Sequence, residues 1–430
     1  MLTKGFPESY IPYLTALHEE HPFWQFEPIL VTEMQPTYTF EYIISREDTP
    51  GPNPSNLVTT DSWAPQPWTS LGQANYTPYY DESDTALYDS GWRKASNAAV
   101  RYFMDPRNFL NDVDIFMFED LSFFNAETQT VELVNDALAS SFMGNYAMCD
   151  NGITYAQHLY NCAKTYNVNA ITLANRLVLE QGLGTSPLVN GTLGTTLAGY
   201  YAAREENADD DRIWGDYTPE DVFDEEELLS FDGYYNFFNT GASGNGYFAI
   251  YYNAAQESIE NGWDTKAKAI EGGAAKLALN MIQDYQYTIY LQKFNVDPRS
   301  DSNFWGQYMQ NISAPLTEGR NARATYKNGG VLERGYTFRI PVYDGLPETA
   351  SADPANGNSR YSSSVSTGAD WGTQTYSLTA SVAEGQGTVH FGSGETSSQI
   401  LPGTTVNVQV TPAANYAVSQ VLIGGKRNPS

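Results

Sequence analysis

The chain has 430 residues, of which 51 are Asp or Glu and 23 are Lys or Arg, and its formal net charge is -28. An acid excess of this size repels phosphate backbones, which excludes nucleic acid as an expected partner. The aromatic fraction of 14% is too high for a disordered acidic chain, and the length suits two or three folded units.

No apolar run approaches the roughly 18 residues that a membrane-spanning helix needs, so we expect no membrane span. The start, MLTKGFPESY, lacks the apolar stretch of a signal peptide, which fits either a cytosolic protein or a mature exported fragment. Two cysteines, Cys149 and Cys162, are too few for a disulfide scaffold, and whether they pair stays open. His158 and Cys162 lie four residues apart, but without further ligands nearby no metal centre is expected.

The first third of the chain mixes helical and extended patterns. Residues 5–29 predict a short amphipathic helix that leads into a strand. Residues 49–78 are rich in Pro, Gly, Asn, Ser and Trp, which indicates irregular structure wrapped on a folded neighbour. Residues 91–123 predict two helical segments interrupted at Pro106. We therefore predict an α+β accessory region over 1–125.

Helical periodicity dominates residues 154–181 and 263–283, within a mainly α unit predicted over 126–345. Between these helices, residues 204–232 hold thirteen acidic residues against Arg204 and Arg212. Such a charge run is usually a solvated loop, although it can also cover a cleft as an acidic lid.

The residue composition of the sequence changes after Pro341. Residues 346–375 are rich in Ser, Gly, Asn and Asp and predict a linker. Residues 376–430 alternate apolar and polar residues between glycine turns, which predicts a small all-β module.

The helix NAITLANRLVLEQG, residues 169–182, carries the most informative carboxylate. Asn169 predicts its N-cap and Gly182 its end, and at 100° per residue Glu180 shares the apolar stripe with Leu173 and Leu177. Desolvation and the negative helix end both favour the protonated acid, which can then protonate the leaving oxygen of a glycosidic bond. The alternative is that Glu180 turns outward after the helix ends.

Five segments occur in one order over 143–343: LANRLVLEQGLGTSPLVNGT, GYYNFFNTGA, NGWDTKAKAIEGGAAKLA, YTIYLQKFNVDP and FWGQYMQNISAPLTEG. Together they resemble bacterial endo-β-N-acetylglucosaminidases of glycoside hydrolase family 73, which are cell-wall autolysins. The resemblance implies a lysozyme-like fold for 126–345, with residues 197–231 as an insertion. The C-terminal module resembles the internalin-type B repeats of bacterial surface proteins.

The resemblance also assigns roles to residues. Glu180 matches the family's general acid. The implied sugar-binding residues come from the helix end, the YN-containing segment and the FWGQYM segment, and they are Gln181, Tyr235, Asn236, Phe238, Asn239, Gln307 and Tyr308. Rings suit sugar faces and amides suit N-acetyl groups.

The sequence identifies the second catalytic group less clearly than it identifies Glu180. Asp232 is the preferred partner of Glu180, and Asp216 or the run 225–227 is the fallback. A substrate-assisted enzyme instead uses the acetamido oxygen of its own sugar as the nucleophile.

The expected function is that of an exported, wall-associated peptidoglycan hydrolase that needs no cofactor. It would cut the β-1,4 bond on the reducing side of N-acetylglucosamine, with peptidoglycan strands as partner. The alternatives are a non-catalytic wall-binding or adhesive protein, and a muramidase or lytic transglycosylase on the same fold. The oligomeric state stays open.

Overall fold

A computed structural model describes residues 5–49, 54–59, 79–81, 83–86, 88, 91–210, 212–305 and 307–354, and the strands of the C-terminal part, 376–379, 386–391, 396–400, 408–413, 421–423 and 426–428. The chain divides into two compact units, residues 1–363 and 364–430. The first unit is mostly helical with a few small sheets. The predicted irregular segment 49–78 lies largely outside the described residues.

The predicted N-terminal helix and strand are confirmed. Helix α1 (Ile11–Glu20) buries Leu14 and Leu17, and strand β1 (Gln25–Leu30) follows it. Strand β1 pairs in parallel with β4 (Thr337–Val342), so the two ends of the first unit meet in one sheet. The fully buried Trp24 ring packs edge-on against Phe116, which anchors this sheet in an aromatic core.

The rest of the N-terminal region alternates short elements. It contains α2 (Val31–Met34), α3 (Phe40–Glu47), β2 (Leu57–Thr59), β3 (Trp92–Lys94) and α4 (Asn97–Met104). The helical pattern breaks at Pro106 as predicted, and two 3-10 helices follow, Pro106–Phe109 and Asp114–Phe118. Strands β2 and β3 form an antiparallel pair.

The central helices are α5 (Val131–Ala137), α6 (Tyr155–Tyr166) and α7 (Ala170–Gln181). Asn169 caps α7 as predicted, since its side chain accepts hydrogen bonds from the backbone N–H groups of Ile171 and Thr172. Helix α7 ends before Gly182, which fixes the position of Glu180 in the last turn. Cys149 and Cys162 are buried free thiols.

Short helices α8 (Pro187–Asn190), α9 (Leu193–Ala202) and α10 (Glu225–Leu229) precede the longer α11 (Tyr247–Glu260). The acidic segment is not a solvated loop throughout, because Trp214, Leu228 and Phe231 are buried in one apolar cluster with residues of α9 and α11. Apolar side chains interleaved with the acids hold the segment in place, while most of the carboxylates face solvent.

The first unit ends with α12 (Lys266–Leu277), a π-helical turn (Ala278–Ile282), α13 (Ile289–Phe294), α14 (Ala314–Asn328) and β4. The predicted linker starts at 346, but the side chains of Arg107 and Asn108 donate hydrogen bonds to the carbonyls of Pro347, Thr349 and Ser351. Residues 346–354 are therefore a packed part of the first unit and not a linker, and residues 355–375 lie outside the described residues.

In the second unit, the described residues lie almost entirely in strands: β5 (Tyr376–Thr379), β6 (Gly387–Phe391), β7 (Thr396–Ile400), β8 (Val408–Pro412), β9 (Val421–Ile423) and β10 (Lys426–Asn428). They form the antiparallel pairs β5–β7, β6–β8 and β9–β10. This agrees with a β module, and its likeness to B repeats stays a prediction. In the described parts of both units, no helix combines the length and apolarity that crossing a membrane requires.

Candidate active site

A cavity of about 700 Å³ opens beside the C-terminal end of α7. Its lining comes from α7, from residues 238–242, from the C-terminal half of α12 with the π-helical turn, from residues 308–311, and from β2 and β3. Glu180 is the only carboxylate among the described residues that line it. The volume is in the range of roughly 300–1,000 Å³ that is typical of small-molecule sites.

Two side chains hold the Glu180 carboxylate. The Tyr308 hydroxyl donates a hydrogen bond to Oε1, and Asn239 Nδ2 donates one to Oε2 at 2.5 Å. Burial raises the pKa of Glu180, although both hydrogen bonds and the nearby Arg176 act in the opposite direction. Glu180 is thus placed to hold a proton beside a cavity, and it does not turn outward into solvent.

Arg176 lies one helical turn before Glu180 and is fully buried. Its guanidinium carbon lies 3.4 Å from the centroid of the Tyr308 ring, and its Nη2 donates to Glu318 Oε2 at 3.0 Å and to Gln292 Oε1 at 2.8 Å. The backbone carbonyl of Gln292 accepts a hydrogen bond from the Tyr308 N–H. Arg176 and Gln292 therefore fix both the ring and the backbone of Tyr308.

The structure brings several predicted residues together with Glu180. Phe238, Asn239 and Tyr308 line the cavity. Asn239 has φ 52°, a left-handed conformation that Asn tolerates better than most residues. Gln181 does not line the cavity, but its Nε2 donates to Asn239 Oδ1 at 2.5 Å and so orients the Asn239 amide toward Glu180.

Four other predicted residues lie elsewhere. Both carboxylate oxygens of Asp232 accept hydrogen bonds from Thr195, in the first turn of α9, so Asp232 caps that helix instead of facing Glu180. Asn236 is fully buried and closes a turn with Thr240. The Tyr235 ring lies against Gly191, and Gln307 donates to Glu47, so neither lines the cavity.

The fallback bases are also outside the cavity lining. Asp216 accepts hydrogen bonds from the backbone and the side chain of Asn245, which ties the acidic segment to the turn before α11. Residues 225–227 form the exposed first turn of α10. Negative charge at a helix N-terminus is favourable, which accounts for this placement without a catalytic role.

Several residues of the site were not predicted from the sequence. Arg176 could have been predicted, because a residue four positions before Glu180 lies on the same helix face. Lys276 lines the cavity from α12 and pairs with Glu257. Leu57 and Trp92 reach the cavity from the N-terminal region, and no local pattern identifies them, because only tertiary contacts bring β2 and β3 to α7.

Among the described residues, one group has ligand atoms close enough to hold a metal ion: Glu20, His21 and Asp112. The two ring nitrogens of His21 hydrogen bond to Asp112 and Glu333, and Asp112 also pairs with Arg323. None of these residues lines the cavity, so the cluster contributes ion pairs away from Glu180.

Curated proteins with sequence similarity to the chain are bacterial and are named Beta-N-acetylglucosaminidase and Bifunctional autolysin, whereas no family model matches it. A Beta-N-acetylglucosaminidase of Bacillus subtilis is 25% identical over 264 residues, covering 60% of this chain and 24% of that protein. A Bifunctional autolysin of Staphylococcus epidermidis is 24% identical over 257 residues, covering 59% of this chain and 16% of that protein. The chain is distantly similar to bacterial glucosaminidases.

The chain spans about a quarter or less of the length of these relatives. Among solved structures, S. aureus glucosaminidase B is 18% identical, with coverage of 75% of this chain and 94% of that chain and a TM-score of 0.40. S. aureus Autolysin E in complex with a muropeptide is 17% identical, with coverage of 68% and 92% and a TM-score of 0.40. These TM-scores are too low to establish a shared fold.

Proposed function

We propose that the chain is a peptidoglycan hydrolase that cleaves the β-1,4 bond on the reducing side of N-acetylglucosamine. The observation that carries the proposal is Glu180, the only carboxylate among the described cavity residues, held there with a raised pKa. The names of the distant relatives favour glycan hydrolysis over other acid-catalysed reactions. Peptidoglycan lies outside the cell membrane, so the proposal implies an exported or wall-associated protein.

Glu180 acts as the general acid. In its protonated form it gives the proton to the bridging oxygen as the bond to the anomeric carbon breaks, which turns the leaving sugar into a neutral alcohol. Tyr308 and Asn239 then stabilise the carboxylate that remains, because both donate hydrogen bonds to its oxygens. The same donors keep the carboxyl group pointed into the cavity before the reaction.

The anomeric carbon needs a second group. Asp232 caps α9 and does not line the cavity, so we favour the acetamido oxygen of the N-acetylglucosamine as the nucleophile. It attacks C1 as the leaving oxygen departs with the Glu180 proton. Glu180 next takes a proton from water, and that water opens the cyclic intermediate to give the free sugar.

The test is digestion of purified peptidoglycan by the full chain, with new reducing ends identified by mass spectrometry. Wild type is expected to release N-acetylglucosamine ends, and Glu180→Gln should lower the rate by about 10²- to 10⁴-fold, because positioned acids contribute about that much. Asp232→Asn is the matched control, and it is expected to retain activity if the substrate supplies the nucleophile.

Other outcomes identify the alternatives. Reducing N-acetylmuramic ends would show a muramidase, and 1,6-anhydro-N-acetylmuramic ends, which are not reducing, would show a lytic transglycosylase. Binding without release of any ends by wild type would show a wall-binding protein and overturn the proposed hydrolysis.

A further inference from the structure

The N-terminal region supplies part of the cavity that contains Glu180. Trp92, the first residue of β3, and Leu57, the first residue of β2, both line it. The two strands pair antiparallel, with Thr59 opposite Trp92. The cavity is therefore formed jointly by the helical part of the first unit and by residues that precede it in the chain.

Backbone hydrogen bonds join this strand pair to the segment that carries Tyr308. Leu57 N–H donates to the Gln310 carbonyl at 2.8 Å, and Ile312 N–H donates to the Leu57 carbonyl at 3.1 Å. The Gln310 side chain donates to the Pro54 carbonyl at 2.8 Å. Strand β2 is thus hydrogen-bonded to residues 308–312, which connects the strand pair that carries Trp92 to the segment whose Tyr308 hydroxyl contacts Glu180.

The chemistry of this lining suits an N-acetylated sugar. Trp92 and Phe238 line the cavity with aromatic rings, and Asn280 lines it with an amide, whereas the amides of Gln310 and Asn311 also bond to Pro54 and Ser313. A β-linked pyranose has apolar C–H faces that stack on rings, and its acetamido group exchanges hydrogen bonds with amide side chains. An indole offers a large rigid surface with little rotamer entropy to lose on binding.

We propose that Trp92 is a glycan-binding residue, so that the N-terminal region forms one wall of the groove that holds the sugar strand. This inference rests on the proposed function for the identity of the sugar, a β-1,4-linked oligosaccharide with N-acetyl groups. It assigns residues 54–59 and 91–94 a direct part in binding the substrate, beyond support of the helical part.

The test uses the full chain with Glu180→Gln, so that the ligand stays intact. The probe is a tetrasaccharide of alternating N-acetylglucosamine and N-acetylmuramic acid, and its Kd is measured by calorimetry. Trp92→Leu, which keeps an apolar side chain but removes the ring, is expected to raise Kd by roughly threefold to tenfold, the fold-change that one aromatic stacking contact represents. Trp92→Phe is expected to restore most of the affinity.

The matched control is Trp305→Leu, because Trp305 is 73% exposed and does not line the cavity. The Kd of Trp305→Leu for the tetrasaccharide is expected to equal that of the Glu180→Gln parent. An unchanged Kd in Trp92→Leu, with a circular dichroism spectrum like the parent's, would overturn the proposal.

A second measurement does not depend on the folding of Trp92→Leu. The indole N–H resonance of Trp92, assigned by its absence in Trp92→Phe, is expected to shift on titration with the tetrasaccharide, while that of Trp305 stays. If wild type releases no reducing ends but the Trp92 resonance shifts, hydrolysis fails and this inference stands. If wild type hydrolyses peptidoglycan and the Trp92 resonance does not move, only this inference fails.

Discussion

Tyr308 and Glu180 form the contact on which the proposed chemistry depends most. The hydroxyl of Tyr308 donates to the carboxylate and therefore favours the charged form, whereas burial favours the neutral form. Because burial is the larger effect, it raises the pKa of Glu180. The pH at which Glu180 loses its proton is thus set by two opposing effects, one of which a single substitution removes.

Tyr308→Phe is expected to raise the Glu180 pKa further, because it removes a donor to the charged form and keeps the ring on Arg176. The alkaline limb of kcat/KM against pH should move upward by about one pH unit, which is the scale of one charge-assisted hydrogen bond. Tyr13→Phe, at an exposed tyrosine of α1, serves as the control. A downward shift of the alkaline limb would contradict the assignment of Glu180 as the acid.

Glu119 is a second buried acid, and it affects stability rather than the site. Burial raises its pKa from 4.5 to about 8, although Asn169 and Tyr326 donate hydrogen bonds to Oε1. Its Oε2 has no hydrogen-bond partner among the described residues. Since the folded state binds this proton more tightly than the unfolded state, stability is lost as the pH rises from about 4.5 to about 8.

The Glu119→Gln variant is therefore expected to become more stable than wild type as the pH rises. The difference in the free energy of unfolding should grow by on the order of 5 kcal/mol over that window and then level off. Urea unfolding at a series of pH values measures it. Glu127→Gln, at an exposed position, should show no such trend, and a flat difference for Glu119→Gln would show that the carboxyl group ionises normally.

At the scale of elements, the contact between α7 and α14 holds the helix that carries Glu180 in place. Arg176 of α7 and Glu318 of α14 form a buried ion pair beneath Tyr308. The neighbouring Gly319 lets α14 approach the 3-10 helix Asp114–Phe118 closely, since a Cβ there would lie 2.5 Å from the Met117 backbone nitrogen. A larger residue at 319 would push α14, and with it Glu318, away from its partners.

Gly319→Ala is expected to destabilise the protein by about 1–3 kcal/mol, the usual cost of overpacking. Gly199→Ala is the matched control, because Gly199 lies within α9 and a methyl group added there would meet nothing within 4 Å. There the substitution should stabilise by about 0.5–1 kcal/mol through helix propensity. Thermal unfolding measures the stability change of both variants. Equal changes would refute the close approach of α14 to the 3-10 helix Asp114–Phe118.

At the scale of the whole molecule, the two ends of the first unit contact each other. Strand β1 near the start pairs with β4, and the aromatic core beneath them includes Trp24, Phe116 and Phe338. Backbone carbonyls within residues 346–354 also accept hydrogen bonds from Arg107 and Asn108. The helical part predicted over 126–345 thus shares its core with the region before it.

A chain of residues 126–345 is therefore expected to lack a cooperative unfolding transition, because β4 loses its partner and the aromatic core is halved. A chain of residues 1–363 should unfold cooperatively by denaturant titration and keep the activity of the full chain. Cooperative unfolding of 126–345 with near-native stability would show that the two parts are independent.

Much of the local structure could be predicted from the sequence. The Asn169 cap, the end of α7 before Gly182 and the break at Pro106 depend on local backbone chemistry, so they are visible in short windows. Helical periodicity put Glu180 on the apolar stripe of its helix but left open whether it turns outward, and the resemblance was what favoured the inward position. The choice of Phe238, Asn239 and Tyr308 came from the resemblance and not from any local pattern.

The tertiary structure decided which of the predicted side chains meet Glu180 and which lie elsewhere. Asp232 lies five residues before Phe237 in an acidic stretch, and only the fold shows that its carboxylate caps α9. Trp92 and Leu57 reach the cavity through strand pairing and through hydrogen bonds to residues more than two hundred positions away. Sequence patterns report the faces of single elements, whereas a site is built where several elements pack, and that packing depends on long-range burial that no short window contains.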